Sequence, residues 1–305
     1  QENFVGRQKE RSLLLEWLEN DPTPMLSLVA VGGMGKSALS WYWLTEDLLK
    51  RGKKFEGVIW WSFYDKESSF ERFLENSISY ASGGKVNPKE IESTWDKMQV
   101  FFDLFRNANF LLVLDGLERL LWAYVGLGSP YQGDTVKEDE NQDFRVCTDP
   151  NVAKFLQWLS AGYPQTKTLI TTRLFPKELD VIVGCRRMTL EIMDKGDAVE
   201  FFKRQGIKGT RAEIEEVCSA YGFHPLSLRL LSGMIVHDMK YEGDIKAWTK
   251  YNLLPKLVPK EHHILDLAYN SLDKKRQAFI SKLSAFRNPM DYDAISIFNL
   301  FAFQF

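Results

Sequence analysis

The segment Ala30-Val31-Gly32-Gly33-Met34-Gly35-Lys36-Ser37 constrains this chain more than any other. It closes the apolar run Met25–Val31 and opens a helix-like stretch, Ala38–Lys50, rich in Trp, Tyr and Leu. A strand that turns through glycines into a helix is the setting of a phosphate-binding loop. Glycines let backbone N–H groups turn inward and approach phosphate oxygens. The helix N-terminus adds a partial positive charge. In that setting Lys36 reaches the β- and γ-phosphates, and the Ser37 hydroxyl sits on Mg²⁺. One position departs from G-x-x-x-x-G-K-[ST]: Ala30 stands where the first glycine belongs. A chance Gly-Lys-Ser would explain the tripeptide, but not the strand before it, the helix after it and the further glycines.

The rest of the first half alternates in the same way. Gly57–Phe63 (GVIWWSF) is a second apolar run, Phe110–Leu114 a third and Thr168–Thr171 a fourth. Between them Phe70–Tyr80 reads as a helix, and Glu90–Arg106 carries Trp95, Met98, Phe102 and Phe105 at helical spacing. Continuous apolar strands alternating with helices imply the α/β class, a parallel sheet covered on both faces. Tyr124–Pro150 interrupts this regularity with Gly126, Gly128, Gly133 and the charged run Lys137–Glu140, and reads as a long surface loop. Beyond about Thr189 the patterns are helical: Asp194–Gln205, Arg211–Tyr221, Pro225–Met239, and more from Pro255 to Phe286. We therefore expect a nucleotide-binding domain at 1–188, a helical domain at 189–254, and the start of a further domain at 255–305.

Composition narrows the partners. A chain of 305 residues is long enough for two domains and a fragment of a third. Its 39 basic and 41 acidic residues leave a formal charge of −2, so nothing indicates nucleic-acid binding driven by net charge. No apolar run approaches the roughly 20 residues of a membrane span. Cys147, Cys185 and Cys218 are too few and too scattered for a disulfide framework or a zinc site, which fits a reducing, cytoplasmic location. The chain opens on Gln1 and stops on Ala-Phe-Gln-Phe, and we expect a piece of a longer protein.

Further acids and one cation belong with the loop. Phe110-Leu111-Leu112-Val113-Leu114-Asp115 is a buried strand ending in a carboxylate that can hold Mg²⁺ directly or through water, as a Walker B element does. Hydrolysis also needs a group that positions water. Gly116 fills the slot where many P-loop ATPases carry a second acid, and Glu118 is the next one. Glu118 has three readings: an approach to the γ-phosphate, a solvated helix residue, or a partner for Arg119. Slow turnover follows from the glycine. Thr171-Thr172-Arg173 follows the fourth strand, where a cation can sense the γ-phosphate or simply face solvent.

Together these motifs resemble the NB-ARC or AP-ATPase branch of the STAND ATPases, from Phe4 to about Phe286. Phe4-Val5-Gly6-Arg7 looks like the family's opening motif, whose Val and Arg positions lie by the adenine. Leu111–Glu118 (LLVLDGLE) is similar to its Walker B, Lys167–Arg173 (KTLITTR) to the segment ending in the sensor arginine, and Leu190–Phe201 to the lead into the helical domain. Gly222-Phe223-His224-Pro225-Leu226 resembles the Gly-x-Pro-Leu motif, whose proline packs on adenine; Pro225 at a helix start is also sterically sound by itself. Ile264–Phe286 resembles the opening of a winged-helix domain. The resemblance implies ATP or ADP with Mg²⁺ as cofactors. It places Gly32, Gly33, Met34, Gly35, Lys36, Ser37 and Ala38 on the phosphates, Val5, Arg7 and Pro225 around the adenine, Ser37 and Asp115 on the metal, and Lys36, Asp115, Glu118 and Arg173 in catalysis. It further implies a slow regulatory ATPase that is closed with ADP. With ATP it self-associates into a ring or filament and activates fused effectors under a separate sensor, in immune, anti-phage or stress signalling.

Other features carry less. His262-His263 are adjacent on a helix and cannot face one metal. His224 adjoins the adenine clamp. The tryptophans, including Trp41, Trp43, Trp60 and Trp61, read mostly as core, and Lys137–Glu140 as solvated loop. The rival readings are a transcription regulator acting through the winged helix, a scaffold with a structural P-loop, and a small-molecule kinase, which would need an arginine-bearing lid.

Overall fold

The computed structural model describes residues 4–65, 68–124, 131–132, 135–136, 143–162, 166–250, 269, 272–284 and 295. They divide into two compact units, one of residues 8–32 and 36–191, the other of residues 1–7, 33–35 and 192–305.

The first unit is built on a sheet. Strands β1 (Met25–Val29), β2 (Gly57–Ser62), β3 (Phe110–Asp115), β6 (Lys167–Thr172) and β7 (Cys185–Thr189) lie in the order β2-β3-β6-β1-β7. Every pairing among them is parallel. All residues of β1 and β3 are buried, which is why both read as near-continuous apolar runs, broken in β1 only by Ser27, rather than alternating ones. One face carries Met25, Val29, Ile59, Phe110, Leu112, Leu114 and Ile170 into a core with helices α3 (Phe70–Ala81), α4 (Thr94–Phe105) and α5 (Pro150–Ala161). The other face meets α2 (Lys36–Tyr42), where Trp41 stands edge-on to Trp60 of β2 at 5.0 Å. Trp43 and Trp17 of α1 (Gln8–Asn20), both fully buried, lie 6.4 Å apart.

Several elements differ from the sequence reading. The expected helix Ala38–Lys50 is α-helical only to Tyr42 and continues as a π-helix over Trp43–Leu49. The Thr45 hydroxyl donates to the Trp41 carbonyl at 2.9 Å, competing with the regular backbone ladder. Asp47 of this segment is buried and paired with Arg11 at 2.6 Å. β7 gave no apolar signal because its residues are only partly buried or exposed. The loop reading for Tyr124–Pro150 needs correcting at its end. Residues 143–148 pair back onto 120–123, with Trp122 N–H donating to Val146 O at 3.0 Å and Thr148 N–H to Leu120 O at 2.9 Å. Asp149 then caps α5, whose first residue is Pro150. Two short strands, β4 (Tyr131–Gln132) and β5 (Thr135–Val136), pair antiparallel within that stretch. Lys137–Glu140 lies outside the described residues.

The second unit is helical. α6 (Lys195–Arg204), α7 (Arg211–Ala220) and α8 (Pro225–Val236) surround the fully buried Phe202, Ile214, Leu228 and Leu231. Thr210 and Glu213 close a capping box on α7. Val5 joins this core. The winged-helix reading for 255–305 and the pair His262-His263 fall mainly outside the described residues; Lys274–Leu283 is a helix. Among the described residues no helix is long and apolar enough to cross a membrane.

Two measurements test this packing. Phe155 touches Phe70, Phe73, Phe101 and Phe102 with ring centroids 5.1–5.6 Å apart. Phe155→Ala should therefore cost about 3–5 kcal/mol in denaturant unfolding. Arg145 bonds Asp143 at 2.9 Å and Asp180 at 2.7 Å and holds both carboxyls below the usual range. That stabilisation is complete above the ordinary carboxylate range and is lost as pH falls through the depressed values. Arg145→Ala should flatten the acid limb of a stability–pH profile.

Candidate nucleotide-binding site

Buried parallel strands offer chemistry only where their chains leave the sheet, at the carboxyl ends. β1 ends at Val29 and runs into the loop that opens α2 at Lys36. The Lys36 ammonium lies 2.6 Å from Ala30 O and 3.1 Å from Val31 O. Ala30, which replaces the first glycine of the motif, is bonded through its N–H to Thr172 O at 3.2 Å and leaves the strand without disturbance. Gly35 has φ +89°, a conformation that favours glycine, and among the described residues a Cβ there would meet nothing within 4 Å.

Asp115 ends β3, one strand removed from β1, with β6 between them. Its Oδ1 accepts from Ser37 Oγ at 2.7 Å and from Thr171 Oγ1 of β6 at 2.6 Å. Thr171 Oγ1 also accepts from Gly116 N–H at 3.1 Å. Three elements thus converge on one carboxylate oxygen, and Ser37 and Asp115 form the hard-oxygen pair that Mg²⁺ prefers. The donor set fits that ion. In the sequence Thr171 reads as the end of the fourth apolar run and a neighbour of Arg173; nothing local marks its hydroxyl as a partner of Asp115.

Glu118 lies on the single turn after Gly116 and is fully buried. It is neither solvated nor paired to Arg119. Its Oε1 accepts from the Tyr64 hydroxyl and lies 3.3 Å from Arg173 Nε. Its Oε2 accepts from Arg173 N–H at 3.2 Å. Burial first, then the charge of Glu118, pushes the Tyr64 phenol well up, so its proton stays on. Tyr64 follows β2 in a stretch that carries no motif, and sequence reasoning missed it.

Val5, Arg7 and Pro225, which the resemblance sets around an adenine, all fall in the second unit. Arg7 has φ +56°. Its amide donates to Asp197 Oδ2 at 2.9 Å, and its guanidinium reaches Ile192 O at 3.2 Å and Met34 O at 3.3 Å. Asp197 is a further partner that sequence reading passed over. His224 caps α8, its Nδ1 accepting from Ser227 N–H at 3.4 Å. Pro225 is the first residue of that helix, and Leu226 N–H donates to Gly33 O at 3.2 Å. Gly33 has φ +76°, and a Cβ there would stand 2.7 Å from Leu226 Cβ and 2.8 Å from His224 Cε1. Only glycine fits.

No family model matches the chain. An uncharacterised WD repeat-containing protein from Nostoc sp. is 23% identical over 255 residues, 80% of this chain and 19% of that protein. Among solved structures, a STAND protein with a tetratricopeptide repeat sensor from Pyrococcus horikoshii superposes with a TM-score of 0.62 at 15% identity. The match covers 96% of this chain and 36% of that one. A Walker-type ATPase of Pyrococcus abyssi superposes with a TM-score of 0.52 at 16% identity, covering 94% of this chain and 77% of that one. The chain has a P-loop ATPase fold. It spans about a fifth of the WD-repeat relative and about a third of the STAND protein.

Gly33→Ala should cost about 1–3 kcal/mol of stability. Amide exchange at Leu226 should speed up with it, measured by hydrogen–deuterium exchange.

Proposed function

We propose that this chain is the nucleotide-switch core of a STAND signalling protein of the NB-ARC or AP-ATPase type. The observation that carries the nucleotide reading is the meeting of Ser37 Oγ and Asp115 Oδ1 at 2.7 Å beside the loop that ends in Lys36. In this reading the loop backbone from Gly32 to Ala38 and Lys36 bind phosphates, and Ser37 and Asp115 hold Mg²⁺, which neutralises phosphate charge. Val5, Arg7 and Pro225 frame the adenine, and Arg173 senses the γ-phosphate. The P-loop domain spans 1–188, the helical domain 189–254, and a winged helix opens at 255–305.

A switch needs a ligand that binds two states unequally. Loop residues 33–35 fall within the compact unit that begins again at 192, where Gly33 is bonded to Leu226. That supports a loop whose occupancy bears on the helical elements. ADP favours the closed form; ATP favours self-association into a ring or filament and activation of fused effectors. The anti-phage or stress setting is the finest part of the proposal and rests on the sequence resemblance alone. Gly116 and the engaged Glu118 support slow hydrolysis.

Nucleotide released from the purified, denatured protein should be ADP or ATP. Lys36→Ala should weaken ATP binding about tenfold to a hundredfold, the worth of a charged hydrogen bond. Steady-state turnover should stay below about 1 s⁻¹. Absence of bound nucleotide together with no measurable ADP affinity would overturn the proposal.

A further inference from the structure

Hydrolysis adds a water oxygen to the γ-phosphorus and breaks its bond to the β–γ bridging oxygen, which leaves with ADP. The water's proton must go to an acceptor. Glu118 is the acid nearest in sequence to Asp115, yet its oxygens are engaged by Tyr64 and Arg173 and it is fully buried. Arg173, two residues past Thr171, is held in the same set. The Tyr64 ring lies over Gly116, where a Cβ would stand 2.5 Å from Tyr64 Cε2. Gly116 also has φ +78°, a conformation that disfavours any side chain. One aromatic residue thus occupies the space above position 116 and grips the acid two residues later.

We propose that Tyr64 is a positioning residue that parks Glu118 against Arg173, withholding the carboxylate from water and the guanidinium from a γ-phosphate until the Tyr64–Glu118 hydrogen bond opens. The proposal rests on the nucleotide reading above and adds to it a gate on that same site. The phenol keeps its proton across the neutral range, so the gate opens by movement and not by titration. Tyr64→Phe keeps the ring over Gly116 and removes only the donor.

The experiment uses the full chain, with ATP hydrolysis followed under steady-state and single-turnover conditions. Tyr64→Phe should raise kcat about tenfold, the scale of one hydrogen bond to a charged acceptor. The KM for ATP and the ADP affinity should stay within about twofold, because the hydroxyl is not a binding contact. Adding Glu118→Gln to Tyr64→Phe should abolish the gain. An unchanged or lower kcat in Tyr64→Phe, with wild-type melting and ADP affinity, would sink the gate alone, as would a gain that survives Glu118→Gln. Failure of the wild-type chain to bind ADP would remove the nucleotide reading and the gate with it. A second arm needs no hydrolysis. Glu118→Gln by itself loosens Arg173 and should raise ATPγS affinity relative to ADP about tenfold; an unchanged ratio overturns the gate.

Discussion

The candidate site in the sheet unit follows from one constraint: a strand buried on both faces offers its chemistry to a ligand at its end and not along its length. β1 and β3 bury every residue, so the chain presents its chemistry only where it leaves them. The two exits are separated by β6, and Thr171 on that intervening strand holds the β3 exit through its hydroxyl, which accepts from Gly116 N–H and donates to Asp115 Oδ1. The oxygen of Asp115 that takes Ser37 also takes Thr171, so the carboxylate that meets the loop is steadied from a packed strand. Rigid placement of this kind is what a binding constellation requires.

Much of this was legible in the sequence, for identifiable reasons. The octad at Ala30–Ser37 and the run ending at Asp115 are strong because their residue types are forced by burial and by backbone conformation. The alternation of runs gave the parallel sheet. What escaped was set by tertiary contacts. β7 is an edge strand of Cys, two Arg, Met and Thr with no apolar pattern, and its pairing with β1 is what marks it as a strand. The change from α- to π-helix at Trp43 falls in a segment that holds the Thr45 hydroxyl bond to Trp41 O and the buried pairing of Asp47 with Arg11, neither of which a local pattern shows. Glu118 could be read three ways from sequence, and its partner Tyr64, which none of them included, is 54 positions away.

The helical unit shows the reverse case. Its helices were visible from their helical patterns, yet its use of positions 1–7 and 33–35 was not. A segment as short as Val5-Gly6-Arg7 has no periodicity. Its place comes from Val5 entering the core and Arg7 bonding Asp197 and two carbonyls. Arg7 holds φ +56°, a conformation of modest cost for a residue with a side chain, offset here by three hydrogen bonds.

The crowding of Gly116 by Tyr64 has an evolutionary corollary. A second acid beside Asp115 is blocked twice, by the left-handed backbone at 116 and by the aromatic ring above it. Acquiring that acid takes a smaller residue at 64 and a different turn at 116 in the same lineage. Positions 64 and 116 should therefore change together among descendants of this fold: glycine where an aromatic stands at 64, an acid only where it does not. A second carboxylate at that place would then be inherited as a pair of residues from neighbouring strands, not as a single site.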